Sequence, residues 1–332
     1  MRGRAIGLGL LGLGAFLLAG ALATKLFLVP ALVTLPLDQT ADPVANGTGV
    51  DYFAVGTQQQ YRGVDVVVHQ HVIGHADDPA AGADVAVWEF GSTMFNSSGV
   101  AFQYGTYQVC LDRRTAESVH CPSAFATDAR GAKVPNAKID GLTLTFPFHT
   151  QKQTYQVFDS SANKAFPARF MSVERLRGVE VYRFQQQVPE TVLDSIDVTG
   201  AMAGVPDQPS VKADVVYSNT RTWWVEPTSG VIVTAEEHPN TVFRGPDGTT
   251  GATYLAGKFV GDDKTVTVGV DRAKKFSTQI NLAETVLPLG LAGLGVLALV
   301  GGALLVRRRP AGAHRVDLPE QTEDPSRVAQ VQ

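Results

Sequence analysis

The chain's only two cysteines sit in the stretch CLDRRTAESVHC, residues 110–121, with two arginines and a histidine between them. A thiol pair so placed could be a redox centre, half of a metal site or a structural bridge. The compartment decides among these, because disulfides persist where the surroundings are oxidising. A second constellation is HQHVIGH, in which His69 and His71 share a face if the segment is a strand. His75 follows near a turn, with Asp77 and Asp78 beside it. Neutral imidazoles at that spacing can hold Zn²⁺ or Cu²⁺ when further ligands arrive from elsewhere. Solvent-facing strand histidines are the commoner outcome, so no metal is assigned. Nucleophilic chemistry has little to build on: the chain has no G-x-S-x-G or H-E-x-x-H motif. Ser97 and Ser98 in FNSSG read as loop residues, and Asp262 and Asp263 in GDDK as solvated turn carboxylates. A glycosidase-type carboxylate pair is defined in space rather than in sequence, so the residues leave it open. Trp88, Phe90, Tyr182, Phe184, Trp223 and Trp224 fall within predicted strands, where they either fill a core or line a ligand cavity. The expectation is a protein without enzymatic activity and without a cofactor.

The elements that carry these residues are framed by two apolar blocks. Residues 5–29 carry one charge, Lys25, and residues 286–306 carry none. Roughly 20 apolar residues in a helix cross a hydrocarbon core about 30 Å thick, so both blocks are long enough. Arg307, Arg308 and Arg309 follow the second block at once, and the positive-inside rule holds such a triplet in the cytoplasm. The first block begins with MRGR and contains Ala21–Ala23 as an A-x-A pattern, so it is either a retained anchor or a cleaved signal. Both readings place residues 30–284 outside the cytoplasm, with residues 1–4 and 307–332 inside. The tail from 307 is polar and is expected to be disordered. Small residues four apart, Ala15, Ala19 and Ala23 in the first block and Ala298 and Gly302 in the second, could let the two helices pack closely.

Charge divides along the same lines. The outer segment with Lys25 has 21 basic and 28 acidic residues, and the two ends have seven arginines and four acids, matching the overall charge of −4. An acidic outer domain excludes nucleic acid as a partner and disfavours lying flat on anionic headgroups. With the cysteines outside, a bridge between Cys110 and Cys121 is expected. It requires Cα atoms no more than about 7 Å apart.

The outer segment is rich in Val, Thr, Tyr, Phe and Trp between clusters of Gly, Pro, Asn and Asp, which predicts strands. The candidates are 64–73, 84–90, 104–111, 142–148, 154–158, 169–176, 179–188, 213–217, 222–226, 231–236, 253–260 and 265–270. In GVEVYRFQQQV, Val179 and Val181 share one face and Tyr182 and Phe184 the other, so this strand is covered on both sides. RTWWVEPTSGVIVTAEE reads as a hairpin, with Pro227 and Gly230 supplying its turn, and GPDGTTG at 245–251 as a second turn. From Asp271 the sequence can run as helix into the second apolar block. The fold class is therefore mainly β: an extracytoplasmic antiparallel barrel or curved sheet flanked by N- and C-terminal transmembrane helices.

Several of these pieces together resemble an actinobacterial family of membrane-anchored proteins, the porin PorA family. They are the first span followed by VPALVTLPLDQT, the block YQVFDSSANKAFPARFMSVERLRGVEVYRF, TWWVEPTSGVIV, and the closing span with its arginines. That resemblance implies topology rather than an activity. RGVEVYRF is similar to a piece of the CD36-type scavenger receptors, and WWVEPTSGVIV to a hairpin of the LolA-like lipid carriers. Both imply a sheet that shelters an acyl chain. The expected function is thus a two-pass cell-membrane protein whose ectodomain binds or hands on a hydrophobic envelope component such as a lipid. The alternatives are a scaffold that meets an envelope protein partner without any cavity, or an envelope hydrolase. A strand-walled channel is not expected, since outer-membrane barrels retain no apolar helices.

Overall fold

The computed structural model describes residues 2–54, 57, 59–128 and 131–307. The expected disorder of the tail, and Arg308 and Arg309 with it, lies outside the described residues. Two compact units result, one made by the terminal helices and the other by Phe27–Thr285.

In the first unit, α1 (Arg2–Ala23) packs on α4 (Leu287–Arg307). A π-helical turn, Thr24–Leu28, continues α1 into the short α2 (Val29–Leu32). Both helical runs are long and apolar enough to cross a membrane. Gly7 lies against the backbone of Gly302 and Gly14 against that of Gly295, so the two helices run antiparallel. A Cβ on Gly14 would stand 2.7 Å from the Gly295 carbonyl oxygen, a distance no side chain tolerates. The buried positions are Gly7, Gly14 and Ala21 on one helix and Pro288, Gly295 and Gly302 on the other. A seven-residue spacing keeps a seam on one side of a helix, and glycine lets the backbones touch. The alanines four apart do not form this seam, in keeping with ordinary Gly/Ala content of such helices: Ala15, Ala19 and Ala23 are exposed, and of the small residues singled out only Gly302 is buried in it. The outward positions, among them Leu13, Phe16, Leu297 and Leu304, are apolar and exposed.

The second unit is one antiparallel sheet of fourteen strands. The strands are β1 (Thr40–Ala41), β2 (Val44–Ala54), β3 (Gln59–Gly74), β4 (Val85–Asn96), β5 (Ala101–Asp112), β6 (Ser118–Val119) and β7 (Phe125–Thr127). They continue as β8 (Lys133–Pro135), β9 (Tyr155–Asp159), β10 (Lys164–Leu176), β11 (Val179–Val198), β12 (Val211–Val225), β13 (Ile232–Arg244) and β14 (Thr250–Gly261). Their order is β8-β7-β5-β4-β3-β2-β14-β13-β12-β11-β10-β9, with β1 on β3 and β6 on β5. The sheet is open, so the curved-sheet alternative holds rather than the closed barrel. It nevertheless curls until its remote ends share a core, because Tyr107 on β5 meets the ring of Phe158 on β9 at 5.6 Å. A loop closes the remaining gap: Ser118 N donates to the Gly141 carbonyl (3.1 Å), and Leu142 bridges Val157 on β9.

Two expected strands take other forms. Leu142–Phe148 supplies this loop instead of a strand. Thr265–Val270, with its alternating valines, opens α3 (Asp263–Asn281). Asp262 caps that helix by accepting from Thr265 N (2.6 Å), and Val266, Val270 and Ala273 then fall on one helical face against the sheet. The segments 213–217 and 222–226 merge into β12, whose central polar residues point into the interior. β2 escapes the sequence pattern because ANGTG is poor strand sequence. Gly47 is needed there, since a Cβ would come within 2.7 Å of the Phe259 ring.

Candidate functional site

Cys110 on β5 and Cys121 beyond β6 form a disulfide, with Cα atoms 6.2 Å apart. The pair packs with Val87 and Ala124 in a small buried cluster. The loop's arginines act as clamps. Arg113 donates to the carbonyls of Leu35 (2.6 Å), Gly82 (3.1 Å) and Ala83 (3.0 Å) and to Thr34 Oγ1 (3.0 Å), fixing the segment that follows α2. Arg114 pairs with Asp84 at 3.1 Å. His120 borders a cavity of about 220 Å³ with Val109, Ile139 and Asp140. A bridge closing so short a loop contributes roughly 2–3 kcal/mol in the chain-entropy model.

The three histidines hold separate partners. His69 stands edge-on to Phe95 at 5.4 Å, His71 lies over Gly91, and His75 Nε2 sits 3.1 Å from Glu89 Oε2. Among the described residues no group of three or more His, Cys, Asp or Glu converges as a metal site would require. Asp78 is occupied as an acceptor from Ser123 Oγ (2.7 Å) and Ala80 N (2.8 Å). Asp263 pairs with Arg177. Ser98 donates its backbone N–H to Asn96 Oδ1 in the turn after β4 (3.0 Å). One spacing escapes the sequence reading: Ser161 and Lys164 form an S-x-x-K in the β9–β10 turn. Both are exposed there, with the Lys164 ammonium 5.7 Å from the Phe166 ring centroid.

The six aromatics do not enclose a common cavity. Trp88, Phe184 and Trp223 are buried in one cluster, with Phe90 and Tyr182 packed against it. Phe146 stacks on Phe184 at 4.8 Å and meets Trp223 at 6.3 Å, filling the space a ligand would need. Trp88 Nε1 donates to the Pro36 carbonyl at 2.9 Å. Trp224 lies on the opposite face of the sheet, beside α3, and donates to Glu174 Oε2 at 2.7 Å.

Sequence reasoning also missed an ionic group on the inner face, built on the buried Asp159 and reaching the partly exposed Glu237. Arg221 Nη1 is 3.2 Å from Asp159 Oδ2, and its Nε is 3.3 Å from Glu237 Oε2. Tyr217 donates to Asp159 Oδ2 at 2.8 Å, and Asn219 donates to the Tyr217 hydroxyl at 3.0 Å. Burial pulls the Arg221 pKa down, but Asp159 and then Glu237 outweigh it, so the guanidinium stays above its ordinary value. Burial likewise raises the phenols of Tyr107 and Tyr217. Alternation along β12, with Tyr217, Asn219 and Arg221 two apart, is the signal that could have found the group.

A groove of about 560 Å³ opens between α3 and the segment Pro36–Thr40. Its helical wall is Val268, Asp271, Arg272, Lys275 and Phe276. That i, i+3, i+4, i+7, i+8 spacing is one face of a helix, distinct from the face that Val266, Val270 and Ala273 bury. Arg272 donates to the Thr40 carbonyl.

With the geometry in place, comparison with known proteins is informative. A family model described as Porin PorA matches residues 6–304, a span that takes in the whole sheet and nearly all of both terminal helices. The chain belongs to the porin PorA family. A relative from Corynebacterium amycolatum, called Porin PorA, is 25% identical over 384 residues, covering 90% of this chain and 97% of its own. Another Porin PorA, from Corynebacterium resistens, is 24% identical over 282 residues, covering 62% of this chain and 67% of its own. Porin PorA membership and two helices able to cross a membrane fit a protein of the membrane or cell envelope.

Proposed function

We propose that the protein is a two-pass envelope protein with cytoplasmic termini, whose β domain, residues 30–284, works outside the cytoplasm by contact and without chemistry of its own. The filled interior carries this reading. The stacked rings of Phe146 and Phe184 occupy the volume an acyl chain would take, so a hydrophobic component of the envelope, such as a lipid, is met at the surface. The scaffold alternative thereby gains over a lipid tunnel. Topology is checked by introducing cysteines at Ser98 and Ala313 and treating whole cells with a membrane-impermeant maleimide. Ser98→Cys is expected to label on intact cells and Ala313→Cys only after permeabilisation; the opposite order overturns the reading. Lipid that survives detergent exchange and leaves only on unfolding would place the ligand inside and overturn the contact mode.

The name of the relatives supports a second reading, in which the protein conducts solutes. A strand-walled pore turns apolar residues outward to lipid, whereas here the large apolar residues of β12 and β13, such as Trp223 and Phe243, point into the core. Conduction would therefore run along assemblies of the paired apolar helices. Planar-bilayer recording of the full-length protein separates the two readings: silence is expected, and stepwise conductance that depends on protein concentration would favour the pore.

A further inference from the structure

The ladder along β5 has a gap. β6 pairs with Cys110 and Leu111, and β7 with Tyr107 and Gln108, so Val109 between them meets no strand on that side. The cavity of about 220 Å³ lies there and is lined from both faces of the sheet. Val109 and Ile139 belong to the inner aromatic core, Val119 and Ala124 to the small cluster around the disulfide. Its depth is apolar with one exception. Val109, Ala124 and Ile139 are buried, whereas His120, Lys138 and Asp140 are exposed at the rim. Ser118 alone among the lining residues is polar without being exposed, and its Oγ is buried with no hydrogen-bond partner among the described residues. A water held at depth needs about two to four polar partners, and the side chains there supply one. A ligand that hydrogen-bonds this hydroxyl relieves the cost of leaving it alone.

Charge and size narrow the occupant. Lys138 and Asp140 pair with each other at 3.5 Å and stay mostly in water, so the rim favours neither an anion nor a cation. A cavity of about 150 Å³ holds benzene, so this one has room for a single ring with a small substituent. The walls are also set in advance. Ala116 and Asn136 hold left-handed backbone (φ 61° and 54°) just before the two wall segments, a conformation that such residues keep only where the surrounding structure imposes it. Ser118 N donates to the Gly141 carbonyl at 3.1 Å and joins those segments. A preformed cavity spares a ligand the cost of ordering it.

We propose that this cavity binds a small neutral molecule with one ring and one hydroxyl, a simple phenol, its ring against Val109, Ala124 and Ile139 and its hydroxyl on Ser118 Oγ. The site goes beyond the contact reading of the β domain and depends on no membrane topology. The test uses full-length protein in lipid nanodiscs with labelled isoleucine and alanine methyl groups, titrated by NMR with p-cresol and with toluene, which has the same ring and no hydroxyl. In the wild type p-cresol is expected to shift the Ile139 and Ala124 methyl resonances saturably, and to bind about five-fold more tightly than toluene, the factor for one neutral hydrogen bond. Ser118→Ala is expected to weaken p-cresol to the level of toluene and to leave toluene unchanged. Ala124→Leu, which fills the cavity, is expected to abolish both; if it fails to fold, the Ser118→Ala comparison stands by itself. Lys138→Ala is expected to change neither affinity, and a loss of five-fold or more there would overturn the neutral class. Shifts that grow without saturating mean partition into the bilayer, and these, equal affinities for the two probes, or an unaltered p-cresol affinity in Ser118→Ala would overturn the proposal. Tighter binding of N-acetyltyrosinamide than of p-cresol would assign the cavity to a side chain of a partner protein and overturn the free molecule as its occupant.

Discussion

Glu174 is a carboxylate whose environment makes it a reporter. It accepts from the Trp224 indole at 2.7 Å and from Ser172 Oγ at 2.7 Å, with Arg183 at 3.4 Å. The Trp224 hydrogen bond, then that of Ser172, hold its pKa below the ordinary glutamate value of 4.5. A carboxyl with a depressed folded pKa stabilises the protein fully above the unfolded value and loses that contribution as pH falls through the folded one. The indole N–H resonance of Trp224 is therefore expected to shift with a midpoint below 4.5 on acidification, and Glu174→Gln to abolish the step. A midpoint above the ordinary value would contradict the assignment. Glu174 and Trp224 are fifty residues apart, so no local pattern announces the pair. The disulfide is the contrary case: two cysteines in a segment expected outside the cytoplasm were enough to expect it.

At the scale of elements, the hairpin β12–β13 and the loop before β9 depend on one another. Phe146 N donates to the Gly230 carbonyl (3.0 Å), His149 N to that of Thr228 (3.1 Å) and Thr150 N to that of Pro227 (2.7 Å). Glu226, itself buried, accepts from Thr228 N (3.0 Å) and Ser229 N (2.8 Å) and shapes the turn. Gly230 adopts φ of 72°, and a Cβ there would lie 2.0 Å from the Phe146 carbonyl oxygen. Gly248 has φ of 85° with open space around it. In urea melts, Gly248→Ala is expected to cost about 1–2 kcal/mol from backbone conformation alone. Gly230→Ala is expected to cost clearly more, because the loop must also move; equal losses would show that the docking is dispensable. Turn residues made the hairpin legible, but not the loop that seats on it. Leu142–Phe148 has strand composition, and only the curl of the sheet leaves it a gap to fill. Thr265–Val270 went astray for a related reason, since a cap at Asp262 and burial on the sheet outweigh β-branched propensity.

The whole molecule turns on how one sheet bends far enough to bury its own inner face. The ionic group of Asp159, Arg221 and Glu237 ties β9, at one end of the sheet, to β12 and β13. Arg221→Met leaves the fully buried Asp159 and the partly exposed Glu237 without a counter-ion and is expected to destabilise the β domain by about 3 kcal/mol. Restoring neutrality with Asp159→Asn and Glu237→Gln in the same chain is expected to recover part of that loss, as read by denaturant midpoints. A loss in Arg221→Met below about 1 kcal/mol would show that water reaches the group and that it does not hold the curl. By itself the sequence determined the two apolar helices, the β-rich segment between them, its principal hairpin and the cysteine bridge. Each of these follows from local composition or periodicity and, for the bridge, from the expected compartment. Tertiary structure alone decided which small residues form the helix seam, that the aromatics fill the interior instead of lining it, that polar residues of β12 meet carboxylates from distant strands, and that a cavity opens beside Val109. The physical reason is common to all four: side-chain roles there are set by neighbours far away in the chain, and such neighbours exist only once the sheet has curled and the helices have paired.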